Sequence, residues 1–150
     1  MGQFMDARCI VSHIINFVSR IVILLSTSQN AGQNCIGIER LLVHVDQYDD
    51  LFAIFSERVE KMRVGSVMSK GQAGYIATVE TGAMISGDRF RGLEKLIKDA
   101  EEVNAYVKGG AEYKHPYHED GYYFKPTVLG PVDSSMAIAN QECEWVLLYS

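Results

Sequence analysis

Apolar residues along the chain fall into blocks of two different periods. Ile38 to Val45, IERLLVHV, is rich in branched apolar residues and predicts a buried strand. Asp46 and Asp49 then offer N-caps for a helix running to about Met62, with Leu51, Phe52, Phe55, Val59 and Met62 recurring at helical spacing. Glu57 and Lys61 form a favourable i,i+4 pair on its outer side. Gly65 to Gly74 reads as loop. A second helix begins near Asp88 and places Phe90, Leu93, Leu96, Ile97, Ala100 and Val103 on one face. Ala105 to Gly110, AYVKGG, is a short strand closed by two glycines. HPYHEDG reads as a turn-rich excursion, and Tyr122 to Gly130, YYFKPTVLG, as one strand made an edge or irregular one by Pro126. The alternation of strands and helices predicts an α/β fold with a mainly parallel sheet and flanking helices.

The ends follow no such rhythm. Ile10 to Leu25 is strongly apolar but carries His13, Asn16 and Arg20. It is shorter than the run of about 20 apolar residues that a spanning helix needs, and charged near its middle. As a secretory signal it lacks a small-residue cleavage site, and Gly2 has Asp6 where a myristoylation signal wants Ser or Thr. We therefore expect a buried helix or strand here, with membrane contact as the alternative. The last residues, CEWVLLYS, form a second apolar run.

Composition narrows the class. The 150 residues are 47% hydrophobic, 22% charged and 10% aromatic, as in ordinary globular domains. A net charge of -5 without a basic stripe argues against nucleic-acid partners. Cys9, Cys35 and Cys143 are an odd, widely spaced set outside any zinc pattern. Free thiols in a reducing compartment, most simply the cytoplasm, are the expected reading.

Chemistry concentrates at Cys35. It lies in QNAGQNCIGIER, a polar, glycine-containing turn immediately before the first strand. A nucleophile on a tight loop beside a strand can stand exposed while backbone N–H groups face the substrate. A small buried Cys near a glycine is the competing reading, and spacing alone leaves both open. His115, His118, Glu119 and Asp120 in HPYHED could be taken for a metal site, but a solvated turn explains them better and no metal is expected.

The stretch AGQNCIGIERLLVHVDQYDDLFAIFSERVEKMRVG resembles the aldehyde dehydrogenase family around its catalytic cysteine, where a Gly-Gln-x-Cys loop leads into a strand and then a helix. GYYFKPTVLGPV resembles the family's Gly-aromatic-aromatic-x-Pro-Thr-Val segment, and MAIANQE the run leading to its cofactor-binding glutamate. GAMISGDRFRGLEKLIKDAEE looks like one branch of that family. The resemblance covers Gln29 to Glu142, in the family's order. It implies part of an aldehyde dehydrogenase catalytic domain, acting on an aldehyde with NAD or NADP, in a family of homo-oligomers. It makes Cys35 the nucleophile, passing through a thiohemiacetal and a thioester to a carboxylic acid, with the Cys35 N–H as half of an oxyanion hole. Glu142 is implied to bind the nicotinamide ribose. Gln33 and Asn34 shape the loop without assigned chemistry.

The resemblance has sharp borders. No ELGG base motif and no GxGxxG precede Cys35, and Glu142 is followed by Cys143, Glu144 and Trp145 where the family continues x-Phe-Gly-Pro. We therefore expect three segments: a non-family stretch over 1–28, a partial catalytic domain over 29–142 and a divergent tail over 143–150. Family members have a cofactor domain upstream of the cysteine, so this chain reads as a truncated form. Alone, it is not expected to bind cofactor or complete the oxidation. The second hypothesis is a non-catalytic fragment that associates with a full-length relative.

Overall fold

The computed structural model describes residues 10–11, 29–35, 37–66, 79–116, 118–141 and 146–149. Strand β1 (Ile10–Val11) is followed by β2 (Arg40–Val43), helix α1 (Val45–Lys61) and helix α2 (Phe90–Glu102). Then come β3 (Tyr106–Lys108), β4 (Glu112–His115), β5 (His118–Phe124), β6 (Val128–Gly130) and β7 (Val146–Tyr149). One sheet has the order β1-β2-β7-β6-β3, and β4 with β5 forms a separate hairpin. In the larger sheet β1, β2, β7 and β6 run parallel, and the β3–β6 pair is antiparallel. The expected α/β architecture with a mainly parallel sheet is the one observed.

Side-chain alternation divides the sheet between two helices. Leu41, Val43 and Val128 meet Tyr48, Leu51, Phe55 and Val59 of α1. Leu129, the next residue after Val128, faces the other way and joins Phe90, Leu93, Ile97 and Ala100 of α2. Phe55 is fully buried, and the apolar positions of both helices lie at the spacing that keeps one stripe on the sheet.

Several boundaries differ from expectation, each for a local reason. The first strand is only Arg40–Val43, because His44 leaves it to cap α1, its Nδ1 accepting from the Asp46 N–H at 3.3 Å. Asp46 thus sits in the first turn, and neither it nor Asp49 is the cap. The helix ends at Lys61, with Met62 outside it in extended backbone. Val103 caps α2 and stands exposed, off the buried face. YYFKPTVLG is two strands, since Pro126 has no N–H to give to a ladder and the chain changes sheets there. Its second half, β6, lies inside the sheet between β7 and β3 instead of at an edge. HPYHEDG supplies facing arms of the β4–β5 hairpin, with His115 opposite His118, where a loop was expected.

The apolar run Ile10 to Leu25 is described only at Ile10 and Val11, which pair with Leu42 and Val43; its remainder lies outside the described residues, as does most of the Gly65 to Gly74 loop. Among the described residues no helix is long and apolar enough to cross a membrane. Residues 146–149 of the tail form β7, between β2 and β6.

Candidate active site

Cys35 is an exposed free thiol at the end of an unusual turn. Asn30, Ala31 and Gly32 all adopt positive φ, at 55°, 57° and 80°. For residues with a Cβ that conformation costs about 1–2 kcal/mol each, so Asn30 and Ala31 need support from their surroundings. Ala31 finds it by burial among the α2-side core residues. Asn30 is tied to Gln33: its Nδ2 donates to the Gln33 carbonyl at 3.0 Å, and the Gln33 Nε2 donates back to the Asn30 carbonyl at 2.9 Å. Asn34 Nδ2 reaches the Gln29 side chain at 3.1 Å, and the Gly37 N–H closes on the Asn34 carbonyl at 2.9 Å, over Cys35. A polar sequence that no sheet could use is thus folded on itself, and it presents the thiol to solvent.

Two long-range contacts dock this loop. The Ile85 N–H donates to Gln33 Oε1 at 2.8 Å. Ile85 belongs to the segment before α2, which is itself fixed by the Met84 N–H on the Tyr122 carbonyl at 2.7 Å and by an Asp88 N–H bond to Ser86 Oγ at 3.0 Å. On the downstream side, Arg40 donates through Nη2 to the Gln141 carbonyl at 2.9 Å. The strand that follows the cysteine therefore grips the end of the MAIANQ segment. That segment is further shaped by Asn140 Nδ2, which donates to the Ser134 and Met136 carbonyls at 2.8 and 3.0 Å, and by Ile138 packing on the α2-side core. Ser135 hydrogen bonds, through side chain and backbone, hold the exposed Asp133 carboxyl below its usual range at the start of this turn.

Glu142, the expected ribose ligand, lies outside the described residues; the structure describes the chain up to its neighbour Gln141. In HPYHED, the side chains of His118 and Glu119 also lie outside them. His115 packs on Tyr113 and Tyr123, with ring centroids 6.1 and 5.7 Å away. Among the described residues no group of three or more His, Cys, Asp or Glu side chains is disposed around a common point. A cleft of about 480 Å³ opens between the end of α1 and Gly109, Tyr113, Lys125 and Pro126; none of the described residues of the Cys35 loop lines it.

A model of the aldehyde dehydrogenase family matches residues 16–143. The chain belongs to the aldehyde dehydrogenase family. It is 42% identical over 122 residues to an aldehyde dehydrogenase-like protein of Saccharomyces cerevisiae, covering 81% of this chain and 18% of that protein. It is 31% identical over 116 residues to an NADP(+) D-glyceraldehyde dehydrogenase of Thermoplasma acidophilum, covering 75% of this chain and 22% of the relative. Among solved structures, betaine aldehyde dehydrogenase of Staphylococcus aureus in complex with NAD+ superimposes with a TM-score of 0.74 at 27% identity, over 88% of this chain and 26% of that one. The chain thus spans about a fifth of the length of the curated relatives it matches.

Within the aldehyde dehydrogenase segment, the sequence singled out Cys35 but missed the two docking contacts. Arg40 carries a signal as the one charge among the strand residues Arg40–Val43. Ile85 carries no signal at all, because its backbone N–H makes the contact while its side chain is 90% exposed.

Proposed function

We propose that the chain is the nucleophile-bearing part of an aldehyde dehydrogenase that oxidises an aldehyde to a carboxylic acid with NAD(P)+, and that Cys35 is its nucleophile. The observation that carries the reading is the exposed Cys35 thiol on a loop docked from both sides, by Gln33 to Ile85 and by Arg40 to Gln141. A thiol so placed adds to a carbonyl carbon and forms a C–S bond, and negative charge gathers on the carbonyl oxygen. The Cys35 N–H is the candidate donor to that oxygen. The reading extends to Glu142 as a ribose ligand, next to the Gln141 carbonyl that Arg40 holds.

A nicotinamide cofactor supplies the hydride acceptor of the complete reaction. The described residues do not fit it on their own. A dinucleotide pyrophosphate is commonly received by a glycine-rich strand-to-helix turn, whereas among the described residues β2 passes into α1 through His44 alone. The part of the chemistry assigned to this chain is therefore thiol addition and acyl capture. Ester cleavage isolates it, because that reaction forms the same acyl-cysteine without a redox step. With 4-nitrophenyl acetate, the chain is expected to release nitrophenolate at a rate that Cys35→Ala cuts to the slow background of the other thiols. Equal rates for the two proteins would sink the catalytic reading in favour of a non-catalytic piece that associates with a full-length relative.

A further inference from the structure

We infer that Gln33 is a positioning residue for Cys35, clamping the nucleophile loop to the segment before α2; this rests on the proposed role of Cys35. The Gln33 side chain bridges two groups of opposite polarity. Its Oε1 accepts the Ile85 N–H at 2.8 Å and its Nε2 donates to the Asn30 carbonyl at 2.9 Å. Only one orientation of the amide satisfies both, since a flipped amide would set N–H against N–H and oxygen against oxygen. Among side chains of this length only glutamine joins a donor to an acceptor in this way. Glutamate keeps the Ile85 contact but turns a carboxylate oxygen on the Asn30 carbonyl, and methionine keeps neither.

The two ends of the bridge have different jobs. The Asn30 end, with the Gln33 N–H also donating to the Asn30 carbonyl at 3.2 Å, holds the left-handed turn over Asn30, Ala31 and Gly32 closed. The Ile85 end joins that turn to a fixed point, because Met84 is buried and its N–H is bonded to the Tyr122 carbonyl of β5. Cys35 follows Gln33 by one turn residue, so a rotation of the Gln33 backbone re-aims both the thiol and the Cys35 N–H. The clamp also links the nucleophile to the start of α2, where Arg89 and Arg91 lie.

The test separates position from exposure. Iodoacetamide needs only an accessible thiolate, whereas capture of 4-nitrophenyl acetate also needs an N–H aimed at the developing oxyanion. Both rates are read at Cys35 by peptide mass spectrometry in the full chain, together with amide hydrogen exchange at Ile85. In Gln33→Met, Ile85 exchange is expected to rise about tenfold, and the ratio of ester capture to alkylation to fall about tenfold. Gln33→Glu is expected to keep Ile85 protected and to hold an intermediate ratio; it carries the test if Gln33→Met does not fold. A wild-type ratio in the folded variants, with the wild-type chain capturing the ester at Cys35, overturns the role of Gln33 alone. No ester capture at Cys35 in the wild-type chain overturns the role of Cys35 and this inference with it.

Discussion

The two faces of the sheet are covered in different ways. On one, a single helix does the work: Tyr48, Leu51, Phe55 and Val59 of α1 pack over Leu41, Val43 and Val128. On the other, α2 supplies four buried residues, but Ala31, Met84, Val132 and Ile138 reach the same core from four separate segments outside α2. The first face is a local pattern laid on a sheet. The second is a mosaic, and the Cys35 loop is one of its pieces through Ala31. Changes on the α1 face should therefore alter stability, whereas changes on the α2 face should also reach the thiol.

The largest effect tests the α1 side. Phe55→Ala removes a fully buried ring and is expected to cost about 3–5 kcal/mol by urea unfolding. The folded fraction should keep the wild-type ratio of ester capture to alkylation at Cys35. A fall in that ratio would break the division between the faces.

Ala31→Val asks the converse. Ala31 is buried at positive φ, where a β-branched residue fits neither the backbone nor the space. A cost of about 1–3 kcal/mol is expected from overpacking alone. Here the Cys35 ester-capture rate should drop more steeply than in Phe55→Ala. Unchanged capture would show that Ala31 anchors nothing.

A smaller, pH-dependent effect belongs to Glu80, which bridges the end of α1 and the segment after it. Burial pushes its carboxyl up, but the Arg63 N–H and the Arg58 and Arg63 guanidinium groups outweigh that and hold it below the usual glutamate range. A carboxylate with a depressed folded value adds stability above its ordinary titration range, and the contribution is lost as pH falls through the depressed value. Glu80→Gln should cost about 1 kcal/mol at neutral pH and nothing at the acid end, as read from urea midpoints across pH 3–7. A cost independent of pH would remove the ionic account.

The smallest effect sharpens the α1 face from within. Burial, and then the nearby Asp49 charge, raise the Tyr48 phenol to about 12, and its hydroxyl is buried without a hydrogen-bond partner among the described residues. Tyr48→Phe removes that unsatisfied group and should be neutral or stabilise by up to about 1 kcal/mol in thermal unfolding. A loss above 1 kcal/mol would mean the hydroxyl contributes to the fold.

Legibility followed the same division. Leu51, Phe55 and Val59 announce α1 by spacing alone, and Phe90, Leu93, Ile97 and Ala100 announce α2. The parallel sheet follows from the alternation of elements. What the pattern could not carry were choices settled by partners far away in sequence. Pro126 reads as a defect in one strand, but it is the joint between β5 and β6. His44 reads as a strand residue, but its Nδ1 caps α1. At the candidate site, Cys35 stands out because its loop resembles that of a known family. The Gln33–Ile85 and Arg40–Gln141 contacts were not, since each uses a backbone group that leaves no mark on residue type.

Peptide-resolved acylation separates Cys35 from the other thiols of the chain. The native chain is treated with 4-nitrophenyl acetate, and acetyl groups are counted at Cys9, Cys35 and Cys143, with the urea-unfolded chain as the reference. Acetyl is expected to accumulate at Cys35 at least about tenfold faster than at the other two, with that preference gone in urea, since a preorganised N–H at the oxyanion position is worth at least that much. Equal acetylation of the three thiols in the native chain would rule out Cys35 as a preorganised nucleophile.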